Sequence, residues 1–519
     1  MHPIAFSLFK SSPPATIRLI TALLIFAITG CSIQPTAIHL EVTQQEKNCL
    51  NFFDQLDASI STLTFFEASV QRVDDYPIYR SDRFLASFSN QKLTPQEHIA
   101  WKKSLHKNAI TAYQQEIARL PKNTNLPLPF NQSSVLSNIY QCTTNLKSYF
   151  LKKETNAPLN TARLQIKDNY SATARFFGIY PLSQWLAQPS MKNYQKEMTA
   201  RYLKGQRKNS RKILYQPKTR KTLDIQFIQR TLANAYANNA LHIPVLNSLD
   251  EQALLAHFSP NLSLEKTNSS DNIGSPEWGP NKKITVNTQK PSAYTFITYT
   301  RLNGQVLIQL NYGFWFPERP TQSSFDIYAG MLDGIIWRVT LDIQGKPFFY
   351  DSIHQCGCYH KVFLPQDVSY NTTNNTNESP LFFSINNVVL DSTHPVTLNI
   401  DSSSHYIVGI SQPHSSLRSS LRPSLRSKST KKTETIPYEL SNYTSLSQLP
   451  TKNRRKSLFE KDGIIEQSAR KERWFLWPLG VVNAGAMRQK GRHAIAFIGR
   501  RHFDDAFLWE KFDIKKSAW

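Results

Sequence analysis

YTFITYTRLNGQVLIQLNYGF, from Tyr294 to Phe314, decides the class of fold. Two runs rich in β-branched and aromatic residues, Tyr294 to Arg301 and Gln305 to Phe314, flank Asn303-Gly304. Asn-Gly readily adopts the positive φ angles of a two-residue hairpin turn, so the stretch predicts two antiparallel strands. The pattern returns at Ile335 to Ile343 and Pro347 to Ser352 around Gln344-Gly345. It continues at Leu381 to Leu390, Val396 to Ile400 and His405 to Ile410. Some seven strands, roughly, in antiparallel succession predict a sandwich, a partly closed barrel or a curved sheet over 291–512.

Upstream the period changes. Residues 46–250 read as mainly helical, which makes the whole chain α+β with a helical first domain. The clearest helix opens at Thr94-Pro95-Gln96-Glu97, a capping box with proline at the first helical position. Ile99, Leu105, Ala109, Ala112, Tyr113, Ile117 and Leu120 follow near helical spacing until Pro121 stops it. Residues 134–153 and 222–241 are weaker helical candidates. Residues 257–290, rich in Ser, Asn, Gly and Pro, are the expected domain boundary. Asn371 to Glu378, an Asn/Thr tract, and Ser415 to Thr433, a Ser-Leu-Arg repeat with six Lys/Arg and no acid, read as disordered insertions. A dense terminus runs from Arg473 to Phe512.

The first thirty residues address the chain. Lys10 and Arg18 precede an apolar run from Leu19 to Ile28, and Thr29-Gly30-Cys31 follows. Small residues before a cysteine match a lipobox, so 1–30 is expected to be a lipoprotein signal peptide and Cys31 the lipidated first residue of the mature chain. The apolar run is well short of the roughly 20 residues that span a bilayer. Three acyl chains on Cys31 would anchor the protein firmly in a membrane, with 31–45 as a tether. Ser32 after the cysteine, by similarity to the lipoprotein sorting rule of Gram-negative bacteria, favours an outer-membrane, periplasm-facing location.

Removing 30 of 519 residues leaves 489, with 40% hydrophobic and 12% aromatic content in the full chain, ample for a packed core. The formal net charge is +23. In an exported protein such an excess points to anionic lipid, anionic envelope polymers or another envelope protein, or to a merely solvated surface; no nucleic acid is expected as partner.

Four cysteines remain beside Cys31. Cys49 and Cys142 form the natural disulfide candidate in an oxidising compartment, although four cysteines allow three connectivities. Cys356 and Cys358 stand within Tyr350-Asp351-Ser352-Ile353-His354-Gln355-Cys356-Gly357-Cys358-Tyr359-His360. On an extended strand His354, Cys356, Cys358 and His360 would share one face, and thiolate with imidazole suits zinc, copper or iron. One ion could take all four only if the chain curled at Gly357; otherwise two of them would share an ion with residues from elsewhere. A local disulfide or redox pair, and inert packing, are the alternatives.

A second cluster lies in Gly491-Arg492-His493 and Gly499-Arg500-Arg501-His502-Phe503-Asp504-Asp505. His502 with Asp504 or Asp505 could be a ligand pair or a base with its orienting carboxylate, and His493 or His502 could complete the Cys/His site. Arg–Asp pairing that seals the sheet is the plainer alternative. Glu318, in Phe314 to Pro320, reads as a buried carboxylate that is salt-bridged or has a shifted pKa. No Walker loop, dinucleotide fingerprint, Gly-x-Ser-x-Gly elbow or His-Glu-x-x-His occurs.

Ser275-Pro276-Glu277-Trp278, Tyr312 to Pro320, Ala329 to Leu341, Tyr350 to His360 and Gly485 to Asp505 together resemble a family of proteobacterial outer-membrane lipoproteins of unknown function. The resemblance covers mainly 250–512, with fainter echoes at Asp82 to Phe88 and Gly178 to Leu182. It implies a location and no reaction. The sequence thus leads to a lipid-anchored envelope protein with a candidate Cys/His metal or redox site, or to a non-enzymatic binding or assembly lipoprotein with structural cysteines.

Overall fold

The computed structural model describes residues 42–516 except 127, 130–133, 157–158, 160–163, 165, 208–209, 373–377, 386–394 and 413–433. Cys31, the signal peptide, most of the tether and the Ser-Leu-Arg insertion therefore lie outside the described residues, as does most of the Asn/Thr tract. No helix of the described residues is long and apolar enough to cross a membrane.

Eleven strands form one curled mixed sheet. In chain order they are β1 (Lys212–Pro217), β2 (Asn261–Glu265), β3 (Ser292–Leu302), β4 (Gln305–Arg319), β5 (Gly330–Leu341) and β6 (Pro347–His354). β7 (Lys361–Leu364), β8 (Leu381–Ser384), β9 (Thr397–Ile400), β10 (Ile407–Ser411) and β11 (Glu434–Asn442) complete it. The order across the sheet is β8-β7-β6-β5-β4-β3-β11-β1-β2-β9-β10. The hairpin β3/β4 forms in register from Leu302↔Gln305 to Ala293↔Phe314, with Asn303 and Gly304 at φ +51° and +78°.

The expected antiparallel arrangement needs correction. β7/β8, β9/β2, β11/β1 and β11/β3 pair in parallel. Local turns specify antiparallel neighbours, whereas β11 arrives from far along the chain and wedges between β3 and β1 without a turn to announce it. The boundary expected at 257–290 is also woven into the structure: it holds β2 and a separate hairpin, Ser275–Trp278 with Ile284–Asn287. β1, from the helical half, sits inside the sheet, so the two halves share one sheet.

The helical half packs round a core of its own. The capping box at Thr94 forms, with the Glu97 carboxylate accepting from the Thr94 N–H at 2.6 Å, and the helix runs Pro95–Arg119. Trp101, Leu105, Ala109, Ala112 and Tyr113 point inward, while Ile99 is exposed. Cys49, in the helix Gln44–Leu63, is disulfide-bonded to Cys142 in the helix Val135–Asn145, with Cα atoms 5.2 Å apart. The helix Tyr180–Lys204 escapes the sequence reading because it carries prolines at 181 and 189.

Candidate functional site

Alternation along the strands separates two faces of the sheet. Tyr312, Trp337 and Tyr350 join the apolar core on one face. On the other, register aligns Phe296↔Asn311, Asn311↔Arg338 and Arg338↔Asp351, a row that crosses four strands. Thr298↔Gln309 and Gln309↔Thr340 form the next row. These polar side chains satisfy one another. Asn311 Nδ2 donates to Thr298 Oγ1 at 2.9 Å, Thr298 Oγ1 to Gln309 Oε1 at 3.1 Å, and Gln309 Nε2 to Thr340 Oγ1 at 3.2 Å. Arg338 holds Asp351 bidentately at 2.8 and 2.7 Å, donates to the Phe503 carbonyl at 2.7 Å, and lies 3.5 Å from the Phe503 ring centroid.

A cavity of about 300 Å³ opens over this polar face. The sheet contributes Thr295 to Tyr299, Asn311 and Arg338; the C-terminal segment contributes Lys490, Gly491, His493, Phe503 and Asp504. The opposite wall is helical. Ser104, Lys107, Asn108 and Thr111 recur at i, i+3, i+4 and i+7, so one polar stripe of the helix Pro95–Arg119 faces the cavity while its apolar stripe faces the core. Asp82 caps the helix Arg83–Ala86 through the Leu85 N–H at 2.8 Å and accepts from Asn108 Nδ2 at 3.1 Å. Burial raises its pKa above the usual carboxylate range.

Two residues of the cavity lining have an unpaired buried polar atom, and a third is a half-buried cation. Asn311 Oδ1 and His493 Nε2 are buried and have no hydrogen-bond partner among the described residues. Burial, reinforced by the nearby Arg488, pushes the His493 imidazole down to about 3, so it is neutral. Lys490 is half-buried, its ammonium facing the Phe296 and Tyr443 rings at 5.5 and 5.7 Å. Burial lowers its pKa against the opposing pull of Glu67, Asp82 and Glu251. An unpaired polar atom out of water costs about 1–3 kcal/mol unless something satisfies it; two such atoms and a half-buried ammonium belong to the residues that line this one cavity.

The sequence-predicted residues scatter. His493 and Asp504 belong to the cavity, with Arg83 Nε 3.4 Å from the Asp504 carboxylate. His354, Cys356, Cys358 and His360 do not share one strand face. β6 ends at His354, and the chain turns back through Gly357 (φ +90°) and Tyr359 (φ +65°) into β7. His354 lies on the apolar-core side, its Nδ1 3.4 Å from Asp333 Oδ1. Asp333 also accepts from His405 Nδ1 at 2.7 Å, and Phe316 stacks on the His405 ring at 3.8 Å. His360 turns instead to Asp351, 3.1 Å away beside Arg338, and burial pushes it down to about 4.

Cys356 and Cys358 are free thiols, the Cys358 N–H donating to Cys356 Sγ at 3.4 Å. A side-chain hydrogen bond with Cys356, together with burial, raises the Cys358 thiol's pKa well above its ordinary value. These four candidate ligands for zinc, copper or iron are not brought together round one point: the two imidazoles serve separate carboxylates on opposite sides of the sheet. Among the described residues no three His, Cys, Asp or Glu side chains group as metal ligands.

His502 is not set against Asp504 or Asp505 as a base; its Nε2 lies 3.2 Å from Asp168 Oδ1, a residue the sequence reading did not single out. Asp505 pairs with Lys511. Glu318 is exposed, not buried, and accepts from Ser270 Oγ at 2.7 Å. Comparison with protein-family models, with curated proteins and with solved structures finds no match to this chain.

Proposed function

We propose that the chain is a lipid-anchored, periplasm-facing protein of the outer membrane whose cavity binds a small acidic, hydroxyl- and amide-rich fragment of the envelope polymer. The observation that carries the binding reading is that Asn311, His493 and Lys490 line one cavity, the first two each with a buried polar atom that has no partner among the described residues. Lys490 and Lys107 suit an acidic group of the ligand, and neutral His493 offers an acceptor or a donor according to tautomer. Asn311, Ser104 and Thr298 suit hydroxyls and amides, and Phe296 and Tyr299 offer ring faces to a sugar. The anchor reading is supported by the lipobox at Thr29-Gly30-Cys31.

Calorimetry of the full chain in detergent, titrated with a soluble disaccharide–peptide fragment of the cell wall, tests the binding. Saturable heat is expected, weakened about tenfold or more by Lys490→Met and by Asn311→Leu, since each lost charge-assisted or buried hydrogen bond is worth about 1.5–3 kcal/mol. Absence of heat at millimolar fragment would refute it.

A second reading, for Cys356 and Cys358, is a redox pair. Two free thiols two residues apart on a turn are close enough for an oxidising disulfide donor of the envelope to bridge them. Intact mass after alkylation with and without reduction separates the bridged from the free state.

A further inference from the structure

Among the described residues a group of large exposed apolar side chains lies away from the residues that line the cavity. In the helix Tyr180–Lys204 the first two turns present Leu182, Trp185 and Leu186 outward at i, i+3 and i+4, with Trp185 65% exposed. Packing against the core begins only at Tyr194, Met198 and Tyr202. Just before it Phe176 and Phe177 are 78% and 70% exposed. A second segment continues the patch with Trp474, Phe475 and Trp477, the first 66% exposed. The two segments are locked together. Ser171 N–H donates to the Gly480 carbonyl at 2.8 Å, Arg175 Nε to the Leu479 carbonyl at 2.9 Å, and a Cβ on Gly178 would stand 2.4 Å from Pro478 Cα.

An apolar patch of this kind needs an occupant, because soluble surfaces rarely gather large aromatics contiguously. We infer that this face docks onto an anionic phospholipid bilayer, the aromatic side chains entering the headgroup region. Two features favour lipid. Tryptophan, with an apolar body and a polar N–H, is the side chain most suited to the membrane interface. The charge is also one-sided: no Asp or Glu occurs from 169 to 196 or from 473 to 503, while Arg175, Lys192, Lys196 and Arg473 do. Basic residues beside an apolar face match negative headgroups. The chain outside the structure agrees, since the lipobox cysteine lies only thirteen residues before Gln44, where the first helix of the described residues begins. A tether of that length spans at most about 45 Å, short enough to keep the protein against the bilayer that holds its lipid. The inference does not depend on the ligand of the cavity.

The test uses the full chain with vesicles of phosphatidylethanolamine and phosphatidylglycerol carrying brominated acyl chains, which quench tryptophan in the interface. Docking predicts loss of about one-third of the emission, because Trp185, Trp474 and Trp477 are three of nine tryptophans. The loss should vanish in a variant with all three replaced by phenylalanine, which keeps the apolar surface. Substituting Phe176→Ser, Phe177→Ser and Leu186→Ser should cut quenching at least twofold while the protein still floats with the vesicles through its lipid; these exposed positions leave the folded circular dichroism intact. Wild-type protein that floats with vesicles but is not quenched would overturn the inference. So would wild-type protein that dimerises through this face, detected as a monomer on introducing the three serines.

Discussion

The buried pair Arg338–Asp351 is where the polar face of the sheet can be tested most sharply. Its side chains are 1% and 0% exposed, and Asp351 accepts from Arg338 at 2.8 and 2.7 Å and lies 3.1 Å from His360. Asp351→Leu leaves the guanidinium in the same dry place with the Phe503 carbonyl at 2.7 Å and the Phe503 ring as its main neighbours. An uncompensated buried charge of this kind costs about 3–5 kcal/mol. Arg338→Met should cost less, because His360 can take up a proton and stand in as the cation; its pKa, now about 4, should rise. The double variant removes both charges and should recover most of the loss, giving a coupling energy of at least about 2 kcal/mol in a double-mutant cycle. Equilibrium urea unfolding followed by near-ultraviolet circular dichroism measures all four proteins. A single Asp351→Leu loss below about 1 kcal/mol, or a double variant as unstable as the sum of the singles, would refute the reasoning.

Three further outcomes are expected. Replacing both Cys49 and Cys142 by alanine opens a loop closed across 93 residues of sequence and should cost about 2–5 kcal/mol, read as a lower urea midpoint that reductant no longer shifts. His360 and His493 are pushed down to about 4 and about 3 in the fold, so the unfolded chain alone takes up their protons below about pH 6.5. Their contribution to stability is therefore lost as pH falls from about 6.5 towards 4, at up to about 1.4 kcal/mol per pH unit each. His405 opposes them: burial alone would lower it, but Asp271 and Asp333 hold it above its ordinary value. Ring NMR at pH 5 should find His360 and His493 neutral and His405 charged; the reverse order would contradict the assignment. Gly357→Ala, at φ +90° with a Cβ placed 2.4 Å from the Ala494 carbonyl oxygen, should destabilise by more than about 1 kcal/mol and speed proteolysis near the turn.

Elements announced by local chemistry were legible. Asn303-Gly304 specified its hairpin and Thr94-Pro95-Gln96-Glu97 its helix, because turn and cap residues act over three or four positions. The parallel pairings of β11 were not, since nothing near Glu434–Asn442 says which distant strands it will join. The cavity left a fainter trace. Gln309-x-Asn311 and Arg338-x-Thr340 put polar residues two apart in strands that are otherwise apolar. Ser104, Lys107, Asn108 and Thr111 make a stripe at helical spacing. Each is ordinary by itself, and only the register that places Asn311 opposite Arg338 makes them a site. The Cys/His segment misled for the converse reason. Spacing of two suggests one face only while the chain stays extended, and the turn at Gly357 sends His354 and His360 to different partners.

The proposed binding mode requires His493, Asn311 and Lys490 to receive the ligand together. Nitrogen-15 NMR of the imidazoles in the full chain, titrated with the disaccharide–peptide fragment, reports on His493 Nε2 directly. A saturable shift of that resonance is expected, with His360 unmoved and the response abolished by Lys490→Met. A His493 signal unchanged at millimolar fragment would contradict it.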